Sequence, residues 1–188
     1  MKYLISLTIF SALLIAACNE GEREEAQQQQ YEAELQQQMV ETDETFRAGL
    51  SDLLDVYFEL KDHLVESDAD AAANTIDPLV ESAERIDTSG LNDETAMIWA
   101  SYADLIIGSG RSLANETDVD DQRYHFEGLS DAMIQVVETF RPVGYEVYVQ
   151  SCPMVRDGSA DWLSREEEIL NPYHGDRMLN CGEVLRRI

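Results

Sequence analysis

The chain reads as a mainly α protein: an antiparallel four-helix up-down bundle followed by a short extended, loop-rich C-terminal tail that carries cysteine and methionine. Three observations predict it. Between about residues 46 and 140, apolar side chains recur at steps of three and four, the period of one helix face. The periodic runs are joined by short polar loops, and neighbouring amphipathic helices on short loops bury one another's stripes most simply by packing antiparallel. After Pro142 the helical period is lost, and Gly158, Pro172, Gly175 and Gly182 punctuate the chain.

Lys2, the apolar run Tyr3 to Ile15 and the small residues Ala16-Ala17 before Cys18 form a secretory signal. The run is shorter than the roughly 20 apolar residues of a membrane-crossing helix. Ile15-Ala16-Ala17-Cys18 resembles the lipobox of bacterial lipoproteins. Residues 1–17 are therefore expected to be a lipoprotein signal peptide, and Cys18 the lipidated first residue of the mature chain. Asn19 after it resembles lipoproteins sorted to the outer membrane, so the expected location is the cell envelope, lipid-anchored, facing the periplasm. Residues 18–45 read as a Gln/Glu-rich tether with too little apolar surface to fold alone. Residues 46–188 remain as a single helical domain, bundle to about 140 and tail from about 145.

The first helix is expected over about Thr45 to Glu66, with Phe46, Leu50, Leu53, Tyr57, Leu60 and Leu64 facing inward. Ser67-Asp68 offers the cap of a second, about Ala69 to Ile86, with Ala72, Ala73, Ile76, Val80, Ala83 and Ile86 inward. Pro78 within it should kink or break it, since proline lacks the helical N–H. Asn92, with Asp93 and Glu94 behind it, starts a third helix that runs to about Ala114 on Ala96, Trp99, Ala103, Ile106 and Leu113. The fourth spans about Val119 to Phe140 on Val119, Phe126, Leu129, Met133, Val136 and Val137, and Arg141-Pro142 and Gly144 end it. Tyr145 to Val149 alternates apolar and polar as an extended segment does, and a short helical turn is expected at Ser164 to Ile169.

The formal charge is −25, and it becomes −26 once Lys2 leaves with the signal. A field of that sign repels phosphate backbones, which argues against nucleic acid as a partner. There is no Ser/His/Asp arrangement, no phosphate-cradling glycine loop and no histidine pair at zinc spacing, so no enzyme is expected. His63 and His125 sit at the edges of apolar stripes and read as core-rim residues. Trp99 and Trp162 read as core and tail anchors.

The tail holds the residues with chemistry. Cys152 and Met154 lie two apart in an extended segment, and Met178 and Cys181 three apart on a turn, with His174 within reach of the second pair. Thiolate, thioether and imidazole are the donors that soft cations such as cuprous copper prefer. The same two cysteines, the last thiols left once Cys18 is lipidated, equally read as a disulfide in an oxidising compartment. Closing that loop would stabilise the domain by roughly 3–4 kcal/mol.

Tyr57 to Val65, Asp121-Gln122-Arg123 with Phe126 and Leu129-Ser130, Tyr148-Val149-Gln150-Ser151-Cys152-Pro153-Met154, Gly158 with Ala160 to Ser164, and Glu168 to Gly182 carry a resemblance. Together, over about residues 46–185, they resemble the domain of unknown function at the C-terminus of CusB-like periplasmic adaptors of copper and silver efflux. The same domain stands alone in envelope lipoproteins. The resemblance implies a helical domain working beside heavy-metal export, with Cys152, Met154, Met178 and Cys181 at motif positions. On that basis the chain is expected to bind Cu(I) or Ag(I) for buffering or delivery to an efflux adaptor. It is expected not to be an adaptor itself, having no room for the hairpin and barrel domains that contact a pump. The alternative is a structural or interaction module pinned by a Cys152–Cys181 disulfide.

Overall fold

The computed structural model describes residues 43–156 and 158–188. The expected signal peptide, the lipidation at Cys18 and nearly all of the tether lie outside the described residues. Among the described residues four helices come first: α1 (Glu44–Val65), α2 (Ala69–Glu84), α3 (Asp93–Ala114) and α4 (Val119–Phe140). Each opens on an Asp or Asn whose side-chain oxygen takes a backbone N–H of the first turn: Asp43, Asp68, Asn92 and Asp118. That satisfies donors left without an intrahelical partner, which is why the helices begin there. Arg141, in the left-handed region at φ 47°, closes α4 before Pro142.

Successive helices pack on each other, α1 on α2, α2 on α3 and α3 on α4. Phe46, Leu50, Leu53, Tyr57, Leu60 and Leu64 are all fully buried, as their spacing predicts. Phe46 meets Trp99 and Phe140 edge-on, and Tyr57 stacks on Phe126. In α2 the buried stripe is Ala72, Thr75, Ile76, Leu79 and Ala83, rotated from the expected one toward Thr75 and Leu79. The helix also runs unbroken through Pro78, contrary to expectation. Pro78 and Asn74 both face solvent, so the Asn74 carbonyl that loses its helical partner is open to water rather than buried.

The tail differs most from the expectation. In place of a loop-rich segment it forms a three-stranded antiparallel sheet in the order β2-β1-β3, from β1 (Tyr148–Val155), β2 (Gly158–Ser164) and β3 (Glu183–Arg187). A single 3-10 turn, Gly175–Arg177, lies between β2 and β3, and Ser164 to Ile169 contains no helical turn. The reason lies in Gln150. Its buried side-chain amide donates to the carbonyls of Glu166, Glu167 and Glu168 at 2.8–3.2 Å, so the backbone there is curled around a strand residue instead of into a helix.

The sheet packs on the bundle through α4 and β2. Tyr57 in α1 supplies a buried polar tie: its hydroxyl meets Ser130 Oγ of α4 at 2.8 Å and accepts the Leu163 N–H of β2 at 3.1 Å. Leu163 belongs to an edge strand, so this hydroxyl caps a backbone donor that no neighbouring strand can take. Trp162 is fully buried and Tyr173 nearly so, and Tyr173 packs against both Trp162 and Phe126.

Candidate functional site

The strand register brings the two tail cysteines together. Ser151 of the central strand pairs with Glu183 of β3, so the chain one residue on in β1 faces the chain just before β3. Cys152 and Cys181 thus sit with their sulfurs 3.6 Å apart as free thiols. Cys152 is fully buried and Cys181 half-buried. The Cys181 side is held from both flanks. Its N–H bonds the Met178 carbonyl at 2.9 Å, closing a Met178–Cys181 turn, and its carbonyl accepts from the Asn171 side-chain amide at 2.8 Å. Asn171 and Asn180 tie the strands of this loop together, through Asn171 N–H to Leu179 O and Asn180 Nδ2 to Ile169 O.

Gly182 explains the close approach. It lies at φ +150°, and a Cβ there would stand 2.7 Å from the Ser151 carbonyl. Only a residue without a side chain lets the chain pass β1 this tightly, and Cys181 is placed by that passage.

The other sulfur residues are placed differently. Cys152 pairs with Ala160 and Val155 with Gly158, so β1 carries one more residue than β2 across this stretch, a β-bulge. The bulge breaks the two-residue alternation on which a shared face of Cys152 and Met154 depends. Met154 is 60% exposed while Cys152 is wholly buried. His174 stands beside Met154 on the outer side, its Nε2 3.2 Å from the Met154 carbonyl. Met178 is half-buried at the start of the turn that ends in Cys181. Among the described residues, no group of three or more His, Cys, Asp or Glu side chains gathers as a metal site. His63 pairs with Glu59 and His125 with Glu116, each at the rim of the core.

The proximity of the thiols has a chemical consequence. The Cys152 thiol beside it, and then burial, push the Cys181 thiol above its ordinary range. A thiolate there needs either a counter-charge such as a metal ion or an electrophilic sulfur to react with.

Sequence reasoning missed the residue that ties this region to the bundle. Arg123 is 4% exposed and donates to the Leu64 carbonyl at 2.7 Å, the Pro172 carbonyl at 2.8 Å, Ser67 Oγ at 2.9 Å and Asp120 Oδ1 at 2.9 Å. It joins the end of α1, the first turn of α4 and the tail. The available signal was its position, three residues before Phe126 and thus on the buried stripe of α4.

Residues 53–143 match a family described as "Protein of unknown function (DUF3347)". The matched region covers the bundle from within α1 to just past α4 and ends before β1 and the thiol pair. No curated protein and no solved structure matches the chain.

Proposed function

We propose that the chain is a non-catalytic envelope lipoprotein, its helices in up-down order, that binds a soft metal ion, Cu(I) or Ag(I), through the Cys152 and Cys181 thiolates. It would buffer the ion or pass it to a heavy-metal efflux adaptor. The observation that carries this reading is the 3.6 Å separation of the two sulfurs. A disulfide holds its sulfurs at about 2.05 Å. At 3.6 Å the two reduced sulfurs are in van der Waals contact, close enough for one soft ion to bridge them once they part slightly. Met178 is the nearest further donor along the chain. Met154 and His174, on the outer side of the bulge, are candidates for receiving or releasing the ion rather than for burying it.

The same closeness favours one second reading, a Cys152–Cys181 disulfide that pins the sheet of a structural module. The sulfurs need to approach by only about 1.5 Å to reach bonding distance. Two measurements separate the readings. The reduced chain, titrated with cuprous ion against a chromophoric chelator, should take up one equivalent, Cys152→Ser should lose that uptake, and Met154→Leu should retain it. Equal uptake by wild type and Cys152→Ser refutes the metal site. Intact mass of protein purified without reductant, lower by two hydrogens and resistant to alkylation, would establish the disulfide instead. Because the ion must displace thiol protons, uptake should tighten as pH rises.

A further inference from the structure

We propose that Cys152 and Cys181 form a reversible thiol–disulfide couple that exchanges with an external disulfide, and that every exchange enters through Cys181. This role rests on the thiol site proposed above and supplies its regulation: the thiolate is the metal ligand, so only the reduced pair can hold an ion. Two observations carry it, the closeness of the sulfurs and the difference in their exposure.

The sulfurs stand 3.6 Å apart, about 1.5 Å beyond the length of a disulfide. Little has to move to close that gap. Cys152 lies in the central strand, paired with Ala160 of β2. Cys181 lies just before β3, its N–H on the Met178 carbonyl and its own carbonyl on the Asn171 amide. Both backbones are thus held without the bond, and rotation of the side chains brings the sulfurs together. A couple that closes without refolding can also reopen. The exposure is unequal: Cys152 is fully buried and Cys181 half-buried. A disulfide offered from outside therefore meets the Cys181 sulfur first, with Cys152 directly behind it.

In the oxidising direction the Cys181 thiol gives its proton to solvent and its sulfur attacks one sulfur of the external disulfide. That bond breaks, one external thiolate leaves, and Cys181 stays joined to the other. Cys152 then loses its proton, attacks the Cys181 sulfur and expels the second external thiolate. The chain gives up two electrons and two protons, and the external disulfide becomes two thiols. Reduction retraces the path: an external thiolate attacks Cys181, Cys152 departs as thiolate, and a second external thiolate frees Cys181.

The test uses the full chain with Cys18→Ser throughout, which leaves this pair as its only thiols. The reduced protein, with a chelator to exclude metal, is mixed with dithiodipyridine, an uncharged disulfide that a chain of formal charge −25 does not repel. The unchanged pair should release two equivalents of coloured thiopyridone in two equal phases. The first should quicken in proportion to reagent and the second should not depend on it, because Cys152 attacks within the chain. Cys152→Ala should release one equivalent at the first-phase rate and keep the adduct. Cys181→Ala should react at least about tenfold more slowly, the protection that burial gives a thiol. In urea the two variants should react alike. A second phase that scales with reagent, release of one equivalent from the unchanged pair, or equal rates for the two variants in the folded chain overturns the proposal, as do rates that stay unequal in urea. Oxidised glutathione and an oxidised Cys-x-x-Cys protein, used in turn, distinguish a small-molecule from a protein source, and reaction with neither also overturns it. With metal excluded, the result is independent of the cuprous titration, so each reading can fail alone.

Discussion

Replacing Tyr57 by Phe removes one oxygen and leaves the packed ring in place. Burial pushes the Tyr57 hydroxyl well above the usual phenol range, so near neutral pH it is a neutral hydrogen-bonding group. In Tyr57→Phe the Leu163 N–H, buried and on the outer side of an edge strand, loses its acceptor. An orphaned buried donor costs about 1–3 kcal/mol. Ser130 Oγ loses the same partner but can turn to a carbonyl one helical turn back, so it adds little. The expected loss is about 2 kcal/mol, or roughly 4–8 °C in Tm for a domain of this size. Urea unfolding read by tryptophan fluorescence reports it from both halves, because Trp99 lies in the bundle and Trp162 in the sheet. A double-mutant cycle with Ser130→Ala separates the shares: most of the loss should persist in the Ser130→Ala background. A Tyr57→Phe penalty under about 0.5 kcal/mol would show that the edge-strand N–H finds another partner or that the contact contributes nothing net.

Arg123→Lys keeps the charge but cannot reach the carbonyls of Leu64 and Pro172, Ser67 and Asp120 together, and it should lower unfolding stability by about 2–4 kcal/mol in a denaturant titration. Gly175→Ala should destabilise by about 1–3 kcal/mol or shift the 3-10 turn, because Gly175 sits at φ +58° and a Cβ there would stand 2.5 Å from Arg123 Nη2 and Ser67 Oγ; calorimetry reads the former and the amide shift of Met178 the latter. The Arg177 guanidinium, and secondarily Arg123, hold the Asp120 carboxyl below the usual carboxylate range. Its contribution is therefore complete above the ordinary carboxylate pKa of about 4 and is lost as pH falls through the lower folded value. Stability measured across acid pH should fall less steeply for Asp120→Asn than for wild type, and parallel curves would show that the pair is too well solvated to matter.

The helical half of the fold was open to sequence reasoning because the buried stripes of α1, α3 and α4 recur with the helical period and each of the four described helices opens on an Asp or Asn. The six residues expected inward from Phe46 to Leu64 are all buried for that reason, while Leu54, Phe58 and Lys61, also buried, widen the stripe beyond the expected one. Val80 and Ala73, expected inward, are only half-buried, since a stripe of small residues in α2 leaves the angular position of the face ill-defined, and Thr75 with its hydroxyl on the Ala71 carbonyl hides a buried polar residue within it. The sheet was harder. Only Tyr145 to Val149 alternates, because Gln150 and Ser151 are buried polar residues and the bulge at Cys152–Val155 breaks the period that marks a strand. The thiol pair was visible as residue types, and the two sulfurs do meet. That Met154 turns away depends on one extra residue in a ladder, which spacing along the chain does not encode. Arg123 escaped notice because a cation on a buried stripe makes sense only once the Leu64 and Pro172 carbonyls are seen to converge on it.

Arg123 also sets how unequally the two halves of the domain depend on each other. Its donors go to a carbonyl at the end of α1 and to one deep in the tail, and the guanidinium can accept neither burial nor both contacts until α1 and α4 have docked. Opening the tail takes only the Pro172 carbonyl from this guanidinium, whereas parting α1 from α4 takes the Leu64 carbonyl and Ser67 as well. The tail should therefore open first. In native-state hydrogen exchange, the amides of β1 and β2 should open at lower free energy than those of α1 and α4. In such an opening the segment bearing Cys181 would leave while the helices stay folded.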